Sequence, residues 1–275
     1  MDLFVDLHIH TNCSDGVFTP AEILEKVRAA KLAAFAITDH DTVEGYRGVQ
    51  ERLTPKDPEL ITGIELSSSY ESSDLHILAY GFDPDNIPLK NALIRFKDAR
   101  TQRGKKMVEK LNQLGVKITY KDVLKKAGPG VVGRPHVAEA IFDSGAISRY
   151  NEAFEKYIGI GGPAYVAKAN FSPNEALEMI HLAGGTAVLA HPMIGEAYEH
   201  IEMLAGMGLD GIEVFHPEHS VEDSKRLKKV AQEFGLSITG GSDFHGREGR
   251  KDKIGSQKVS YVYLSHLQEK MKAYK

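Results

Sequence analysis

The chain has 275 residues, of which 42% are apolar and 26% charged, and its formal net charge is −4 at pH 7. No apolar run approaches the roughly 20 residues of a membrane helix, which excludes a spanning segment. The single cysteine, Cys13, excludes an intrachain disulfide. Because the N-terminus also has no signal-peptide pattern, we expect a cytoplasmic globular protein with one large α/β domain, or such a domain with an insertion.

Strand-like apolar runs alternate with helical patterns through the first 80 residues. The chain opens with a short strand that contains His8 and His10, and Thr19, Pro20 and Glu22 then form a capping box at the start of a helix. The same patterns predict strands over 35–38, 60–62 and 76–80 and a helix over about 42–53. A polar loop is expected between the last two of these strands.

The alternation stops between about residues 84 and 165, where helical patterns occur without a clear strand. Residues 90–126 contain twelve Lys or Arg and three acidic residues, so this segment carries +9 while the rest of the chain carries −13. Such a charge run fits either a solvated helix face or a lid that attracts phosphate, and charge alone leaves both open.

Strands and helices alternate again after the basic segment. Ser172 and Glu175 form a second capping box, which predicts a helix that ends near Leu182. The patterns predict strands over 186–190, 211–215 and 236–240 and helices over about 196–207 and 222–234. Strands that alternate with helices indicate a parallel sheet or a barrel.

Histidine and acidic residues recur just beyond the ends of the predicted strands: His8, His10, His40, Glu65, His191, His216, Asp243 and His245. His76 is an exception, because it begins its predicted strand. In a (β/α) barrel the carboxyl ends of the strands converge on one face, so residues far apart in sequence can share a pocket. Imidazole nitrogens and carboxylate oxygens suit zinc, iron or manganese.

An ordered set of motifs carries a family resemblance: Asp6-x-His8-x-His10 with Asp15-Gly16, Thr38-Asp39-His40-Asp41, Gly63-x-Glu65, His76, Ala190-His191-Pro192 and Gly241-Ser242-Asp243-x-His245. Together they resemble the PHP (polymerase and histidinol phosphatase) family. The resemblance implies a distorted (β/α)7 TIM-like barrel. Residues 1–83 and 166–275 would form this barrel, and residues 84–165 would be a helical insertion that forms a substrate lid.

The resemblance also implies two or three divalent metal ions, which would be Mn, Fe or Zn. One ion would take His8, His10, Glu65 and Asp243; a second would take Glu65, His76 and His191; a third would take Asp15, His40 and His245. His191, His245 and Asp15 are also expected to act in catalysis. Asp39 is expected to orient a ligand histidine rather than to bind metal. The expected reaction is phosphoester hydrolysis by attack of a metal-bound hydroxide.

Arg134-Pro135-His136 in the basic insertion looks like an element of the nucleoside 3′,5′-bisphosphate phosphatase branch of this family, related members of which act as 5′–3′ exonucleases on short RNA. In this interpretation Arg134 holds a phosphate, and His136 contacts a phosphate or protonates the leaving oxygen. Lys168 and His219 are further candidates for phosphate binding. The expected substrate is a nucleotide or a short 5′-phosphorylated oligonucleotide, with no membrane and no obligate protein partner.

Two alternatives stay open. The same metal cluster would serve a phosphomonoesterase such as histidinol phosphatase, although the basic insertion argues against so small a substrate. A nucleotide- or RNA-binding module with a vestigial metal site is the second alternative, and missing ligands would favour it. The motifs above lack none.

Overall fold

The computed structural model describes residues 3–71, 73–128, 130–167, 171–247 and 253–274. Its strands are β1 (Phe4–Ile9), β2 (Ala34–Ile37), β3 (Glu59–Ile61), β4 (Gly63–Tyr70), β5 (Ser73–Tyr80), β6 (Thr186–Leu189), β7 (Gly211–Phe215), β8 (Ser237–Gly240) and β9 (Val259–Ser260). Its α-helices are α1 (Pro20–Ala30), α2 (Glu44–Gln50), α3 (Ile87–Gln113), α4 (Tyr120–Ala127), α5 (Arg134–Asp143), α6 (Pro173–Leu182), α7 (Ile201–Gly206), α8 (Val221–Glu233) and α9 (Tyr261–Met271).

Both predicted capping boxes are confirmed. The Thr19 hydroxyl accepts a hydrogen bond from the Glu22 amide at 3.3 Å, and the Glu22 carboxylate accepts one from the Thr19 amide at 2.8 Å. Ser172 and Glu175 make the same two contacts at the start of α6. Each pair satisfies two amide groups that have no partner within the helix, so the sequence determines where these helices begin.

The strands form two mixed sheets with the orders β3-β2-β1-β9 and β4-β5-β6-β7-β8. In the first sheet β1, β2 and β3 are parallel and β9 is antiparallel to β1. In the second sheet β5 is antiparallel to both β4 and β6, while β6, β7 and β8 are parallel. The predicted parallel arrangement is therefore wrong at β5, and β9 is a further antiparallel strand that was not predicted from the sequence.

The two sheets share a hydrophobic core. Leu7 of β1 packs in one buried cluster with Leu78 of β5 and Val188 of β6. Isolated bridges also join the sheets, one between Ile9 and Phe244 and one between His40 and Glu65. No continuous ladder closes the sheets into a barrel within the described residues, so the finer prediction of a (β/α)7 barrel is not confirmed.

The polar stretch after Glu65 is a strand rather than the predicted loop. Residues from Gly63 to Tyr70 pair one by one with the residues of β5. The serines misled the prediction because serine is typical of loops, but Ser67 and Ser68 are buried in the hairpin. Consequently Glu65 lies within β4 instead of beyond a strand, and His76 lies inside β5, opposite Ser67.

The stretch between residues 84 and 165 contains helices α3, α4 and α5 and a π-helical turn over Phe154–Ile158. These elements enclose a hydrophobic cluster of their own, which includes Leu111, Val123 and Ile141. None of the helices that the structure describes combines the length and apolar composition of a membrane span.

Candidate metal centre

His8 and His10 project to the same side near the end of β1, because alternate residues of a strand share a face. Both side chains are fully buried, and their Nε2 atoms lie 3.1 Å apart. Oε2 of Glu65 lies 3.4 and 3.2 Å from these two nitrogens, and Oδ1 of Asp243 lies 3.4 and 3.3 Å from them. Four ligand atoms from three distant segments therefore converge on one point.

The distances of the Glu65 and Asp243 oxygens from the two histidine nitrogens fit a metal ion, and the ligand atoms of His8, His10 and Asp243 all lie within 4.8 Å of one another. Tetrahedral coordination with bonds of about 2.0–2.1 Å places neighbouring ligand atoms roughly 3.3–3.4 Å apart. Oε2 of Glu65 is buried and has no hydrogen-bond partner among the described residues, although three histidine nitrogens lie within 3.4 Å of it. A buried carboxylate oxygen in this state needs another partner, and a divalent cation supplies one.

Glu65 also faces a second group of histidines. Its Oε1 atom lies 2.9 Å from Nδ1 of His76 and 3.2 Å from Nε2 of His191, and these two nitrogens are 3.3 Å apart. Nδ1 of His40 lies 3.1 Å from the other oxygen, Oε2. The reversed direction of β5 explains the position of His76, because its amino-terminal half lies beside the carboxyl ends of the parallel strands.

Asp15 turns back from the loop after β1 toward a third group of ligand atoms. Its Oδ1 atom is 3.2 Å from Nε2 of His245 and 3.7 Å from Nδ1 of His10, and its Oδ2 atom is 4.0 Å from Nε2 of His40. Nδ1 of His245 donates to the carbonyl oxygen of Asp243 at 2.8 Å. That hydrogen bond directs Nε2 of His245 toward Asp15, as metal-binding histidines require.

Glu213 forms hydrogen bonds to two of the predicted ligand residues and was not identified from the sequence. Its Oε1 atom accepts a hydrogen bond from Nδ1 of His8 at 3.0 Å, and Oε2 accepts one from the backbone amide of His191 at 2.8 Å. One buried carboxylate thus orients residues of two ligand groups. The sequence did contain one signal for this role. Glu213 is the one acid in the apolar strand Gly211–Phe215, and a buried charge requires partners.

Asp39 acts on the centre through Ser14. The Ser14 hydroxyl donates to Oδ1 of Asp39 at 2.5 Å, and Nδ1 of His10 lies 3.4 Å from the same hydroxyl. Asp39 also accepts hydrogen bonds from the amide and hydroxyl of Thr11. This geometry agrees with the predicted orienting role, exerted on His10 through the loop after β1.

The electrostatics of the cluster suit cation binding. Burial opposes ionisation of Glu65 and Asp15, but the neighbouring histidines hold the pKa of each carboxyl well below its usual range. Burial lowers the pKa of His40 to about 3. Burial also disfavours a charged His10, but Asp243 and Glu65 raise its pKa to about 10. A metal ion that binds His10 must therefore displace a proton.

Two of the predicted ligands have unusual backbone conformations. His191 and Asp243 have φ values of 28° and 47°, in the left-handed region that side chains other than glycine rarely adopt. Both residues follow a parallel strand, β6 and β8 respectively. Strain of this kind persists only where the surroundings enforce it and is common at functional sites.

A pocket of about 170 Å³ opens beside the cluster. Its lining includes Asp15, His40 and His76 of the ligand cluster and three arginines, Arg100, Arg103 and Arg134.

The three guanidinium groups of this pocket differ in their partners. Arg100 forms an ion pair with the buried Asp41, and Arg134 pairs with Asp74 at 3.0 Å. Nε of Arg103 donates to the carbonyl oxygen of Val166 at 2.7 Å, but its Nη2 atom is buried without a hydrogen-bond partner in the described part of the chain. Burial, together with Arg134 and Arg100, lowers the pKa of Arg103 to about 10. The side chain is therefore a cation with one N–H group still available to an acceptor.

The remaining predicted substrate residues lie in different environments. Nδ1 of His136 accepts a hydrogen bond from the Gly133 amide at 3.0 Å, which fixes the ring at the start of α5. His219 uses both ring nitrogens on the backbone, since Nδ1 donates to Val214 and Nε2 accepts from Met193. Its role in phosphate binding stays a prediction. Lys168 lies outside the described residues.

His216 contacts the cluster at Asp243. Its Nδ1 atom accepts a hydrogen bond from the Glu218 amide at 3.1 Å. Its Nε2 atom is buried without a hydrogen-bond partner among the described residues and lies 3.4 Å from Oδ2 of Asp243. This arrangement places the ring of His216 directly beside the ligand cluster.

The chain is similar in sequence to known proteins. The model of the PHP domain matches residues 6–166. The chain is 33% identical to a 5′-3′ exoribonuclease from Haemophilus influenzae, over 87% of this chain and 89% of that protein. It is 32% identical to a 3′,5′-nucleoside bisphosphate phosphatase from Chromobacterium violaceum, over 90% of each chain.

A solved structure shows the same likeness. A candidate metal-dependent phosphoesterase from Bifidobacterium adolescentis superposes with a TM-score of 0.87 and 31% identity, covering 96% of this chain and 95% of that one. Sequence, fold and the arrangement of histidines and carboxylates thus lead to one conclusion: the chain belongs to the PHP domain family.

Proposed function

We propose that this chain is a metal-dependent phosphoesterase that removes the 3′-phosphate of nucleoside 3′,5′-bisphosphates. The observation that carries the proposal is a pocket lined both by residues of the ligand cluster and by three arginines. In this proposal the two kinds of residue form two sides of the pocket, and a substrate with two phosphate groups occupies both at once. The name of the Chromobacterium violaceum relative supports this substrate class.

The proposed ligand sets are His8, His10, Glu65 and Asp243; Glu65, His76 and His191; Asp15, His40 and His245. Three overlapping groups of nearby ligand atoms support them: His8, His10 and Asp243; His40, Glu65 and His76; His10, Asp15, His40 and His245. The set contains nitrogen and oxygen atoms without a thiolate, so two or three ions of Mn, Fe or Zn are the proposed cofactors. Bound divalent ions would supply an acidified water and neutralise charge on the phosphoryl oxygens. Asp15, His191 and His245 are the proposed catalytic residues on this side.

The opposite side of the pocket binds and orients the second phosphate in this proposal. Arg103 offers the unpaired Nη2 atom, and Arg134 offers a planar fork that matches two phosphate oxygens. His136 is buried and does not line the pocket, although its neighbours Arg134 and Pro135 do. Its Nδ1 atom accepts a hydrogen bond from the Gly133 amide, which leaves Nε2 as the atom proposed to contact a phosphate oxygen. Fixing the second phosphate places the 3′-phosphate against the ligand side.

The same geometry supports 5′–3′ exonuclease activity on short 5′-phosphorylated RNA. The bond attacked is equivalent, because the 3′-oxygen of the first nucleotide carries phosphorus in both substrates. The name of the Haemophilus influenzae relative supports this second substrate class.

We also propose a division of labour within the fold. Residues 1–83 and 166–275 would form a distorted (β/α)7 barrel that holds the ligands, and residues 84–165 would form the lid that carries the arginines. The separate hydrophobic cluster of α3, α4 and α5 supports this division. The bridges His40–Glu65 and Ile9–Phe244, at the junction of the two sheets, support the barrel.

A substrate panel tests the proposal. Metal-stripped protein is supplied with manganese, and phosphate release is measured from adenosine 3′,5′-bisphosphate and histidinol phosphate, with cleavage of a 5′-phosphorylated RNA trinucleotide alongside. Preference for the bisphosphate is the expected result. Preference for histidinol phosphate would favour the alternative phosphomonoesterase and overturn the assignment of the arginines. Metal binding without turnover of any substrate would favour a nucleotide-binding module.

A further inference from the structure

A second cavity, of about 420 Å³, lies next to the arginine pocket and is called here the α3 groove. It is bordered by the start of α2 and the first part of α3. Val131 lines both cavities, and Asp41 of the groove forms an ion pair with Arg100 of the pocket. The groove and the pocket therefore adjoin at Val131 and at this ion pair.

The floor of the groove is apolar and accessible. Ile87 and Ile94 line it and are 71% and 60% exposed, and they lie seven residues apart on the same face of α3. Two accessible isoleucines beside a pocket lined by charged residues indicate a surface for a flat apolar group rather than a solvated helix face.

The helix that forms the groove is strongly basic, with eight Lys or Arg and two acidic residues over Ile87–Gln113. Lys97 lines the groove, and Arg100 and Arg103 follow at steps of three residues and line the pocket. From Lys90 to Arg103 the helix rises about 20 Å, a length that several nucleotides can follow.

The ion pairs single out Lys97 among the cations of the groove. Lys90 and Arg47 both pair with Asp85, whereas Lys97 has no ion-pair partner in the described ranges. Glu44 is the groove's other acidic residue besides Asp41. An exposed lysine without a partner, between an apolar floor and a phosphate pocket, suits a backbone phosphate of a single strand.

We propose that the α3 groove binds the part of an RNA substrate that follows its 5′-terminal nucleotide. This inference rests on the proposed function. The terminal nucleotide would occupy the pocket, Lys97 would contact the next phosphates, and Ile87 and Ile94 would pack against the downstream ribose or base. The groove would then determine how strongly an oligonucleotide binds compared with a mononucleotide.

The test compares Lys97→Glu with a matched control, Lys106→Glu. Both lysines are exposed residues of α3, but nine residues place their side chains on opposite faces of the helix. We expect Lys97→Glu to lower kcat/KM for a 5′-phosphorylated RNA pentamer about fivefold to tenfold and to leave adenosine 3′,5′-bisphosphate hydrolysis unchanged. Lys106→Glu should change neither activity.

A binding measurement separates the groove from the proposed chemistry. Fluorescence anisotropy of a 3′-labelled, 5′-phosphorylated RNA pentamer on metal-stripped protein should show the same difference between the two variants. If the parent protein does not hydrolyse the bisphosphate but Lys97→Glu still weakens RNA binding, the proposed function fails and the groove stands. Equal pentamer affinities in both variants would overturn the groove. Self-association that Ile94→Glu abolishes would also overturn it, since a second copy would then be the occupant.

Discussion

Nδ1 of His8 lies 3.0 Å from Oε1 of Glu213, although 205 residues separate them in the chain. The second oxygen of this carboxylate accepts a hydrogen bond from the backbone amide of His191 at 2.8 Å. Glu213 is fully buried, so these two contacts satisfy a charge that would otherwise be costly. Glu213 therefore lies behind the ligand cluster, where it holds Nδ1 of His8 and leaves Nε2 of that ring facing the other ligand atoms.

These two hydrogen bonds predict the effect of Glu213→Gln. An amide has only one acceptor oxygen, so the variant cannot accept both hydrogen bonds, and its amide nitrogen would face a donor. We expect metal affinity to fall about 10- to 100-fold, with activity recovered at high metal concentration. Isothermal titration with Mn²⁺ measures the first effect, and phosphate release against metal concentration measures the second.

Glu222→Gln is the matched control, because Glu222 is a largely exposed acid that pairs with Lys225 on the surface of α8. It should bind Mn²⁺ as the parent does. Parent-like affinity in Glu213→Gln would show that the buried carboxylate does not orient the ligands.

Arg134→Ala tests the phosphate side of the pocket. Loss of a charge-assisted contact should lower kcat/KM for adenosine 3′,5′-bisphosphate about 30-fold. p-Nitrophenyl phosphate has no second phosphate, so its hydrolysis should fall less than about threefold. Arg149→Ala serves as control, because that side chain is 69% exposed and pairs with Glu152. An equal loss on both substrates would make Arg134 a structural partner of Asp74 instead.

Tyr274 supports a prediction on stability at high pH. Its hydroxyl donates to Oδ1 of Asp210 at 2.9 Å, and its ring stacks on His181. Burial and the hydrogen bond to Asp210 raise the pKa of Tyr274 to about 12. The folded-state pKa lies above the ordinary value of 10. The stabilisation of the folded state by protonated Tyr274 is therefore fully present below pH 10 and is lost as the pH rises from 10 through 12.

We therefore expect Tyr274→Phe to lower the free energy of unfolding by about 0.5–1 kcal/mol at pH 8, with a smaller difference from the parent at pH 11. Urea unfolding of both proteins at the two pH values measures this difference. A difference that grows with pH would contradict the assigned hydrogen bond.

Some of the proposed ligands could be located from the sequence pattern alone, and others could not. His8, His10, His191, Asp243 and His245 follow or end parallel strands, so a rule about strand ends could locate them. His76 did not fit that rule because the direction of β5 depends on pairing with β4 and β6, which local patterns do not reveal. The sequence could place His76 in the site only through the family resemblance.

The basic segment shows a second limit of sequence reasoning. Its charge fitted either a solvated helix face or a lid for phosphate, and the count could not distinguish Arg103, which lines the pocket, from Lys106, about one turn further along the same helix. Helix packing makes that distinction, because Arg103 is 6% exposed while Lys106 is exposed. Tertiary contacts, rather than composition, determine which side chains of this helix are buried.

The most direct test of the central claim is the number of metal ions bound per chain, measured together with phosphate release. Metal-stripped parent protein and Glu65→Gln would be dialysed against Mn²⁺, assayed for bound metal, and supplied with adenosine 3′,5′-bisphosphate. The account predicts at least two ions per parent chain and a large loss of both metal and activity in Glu65→Gln, whose carboxylate faces two ligand groups. Phosphate release by the metal-stripped parent at its full rate, or a Glu65→Gln variant with unchanged metal content, would contradict it.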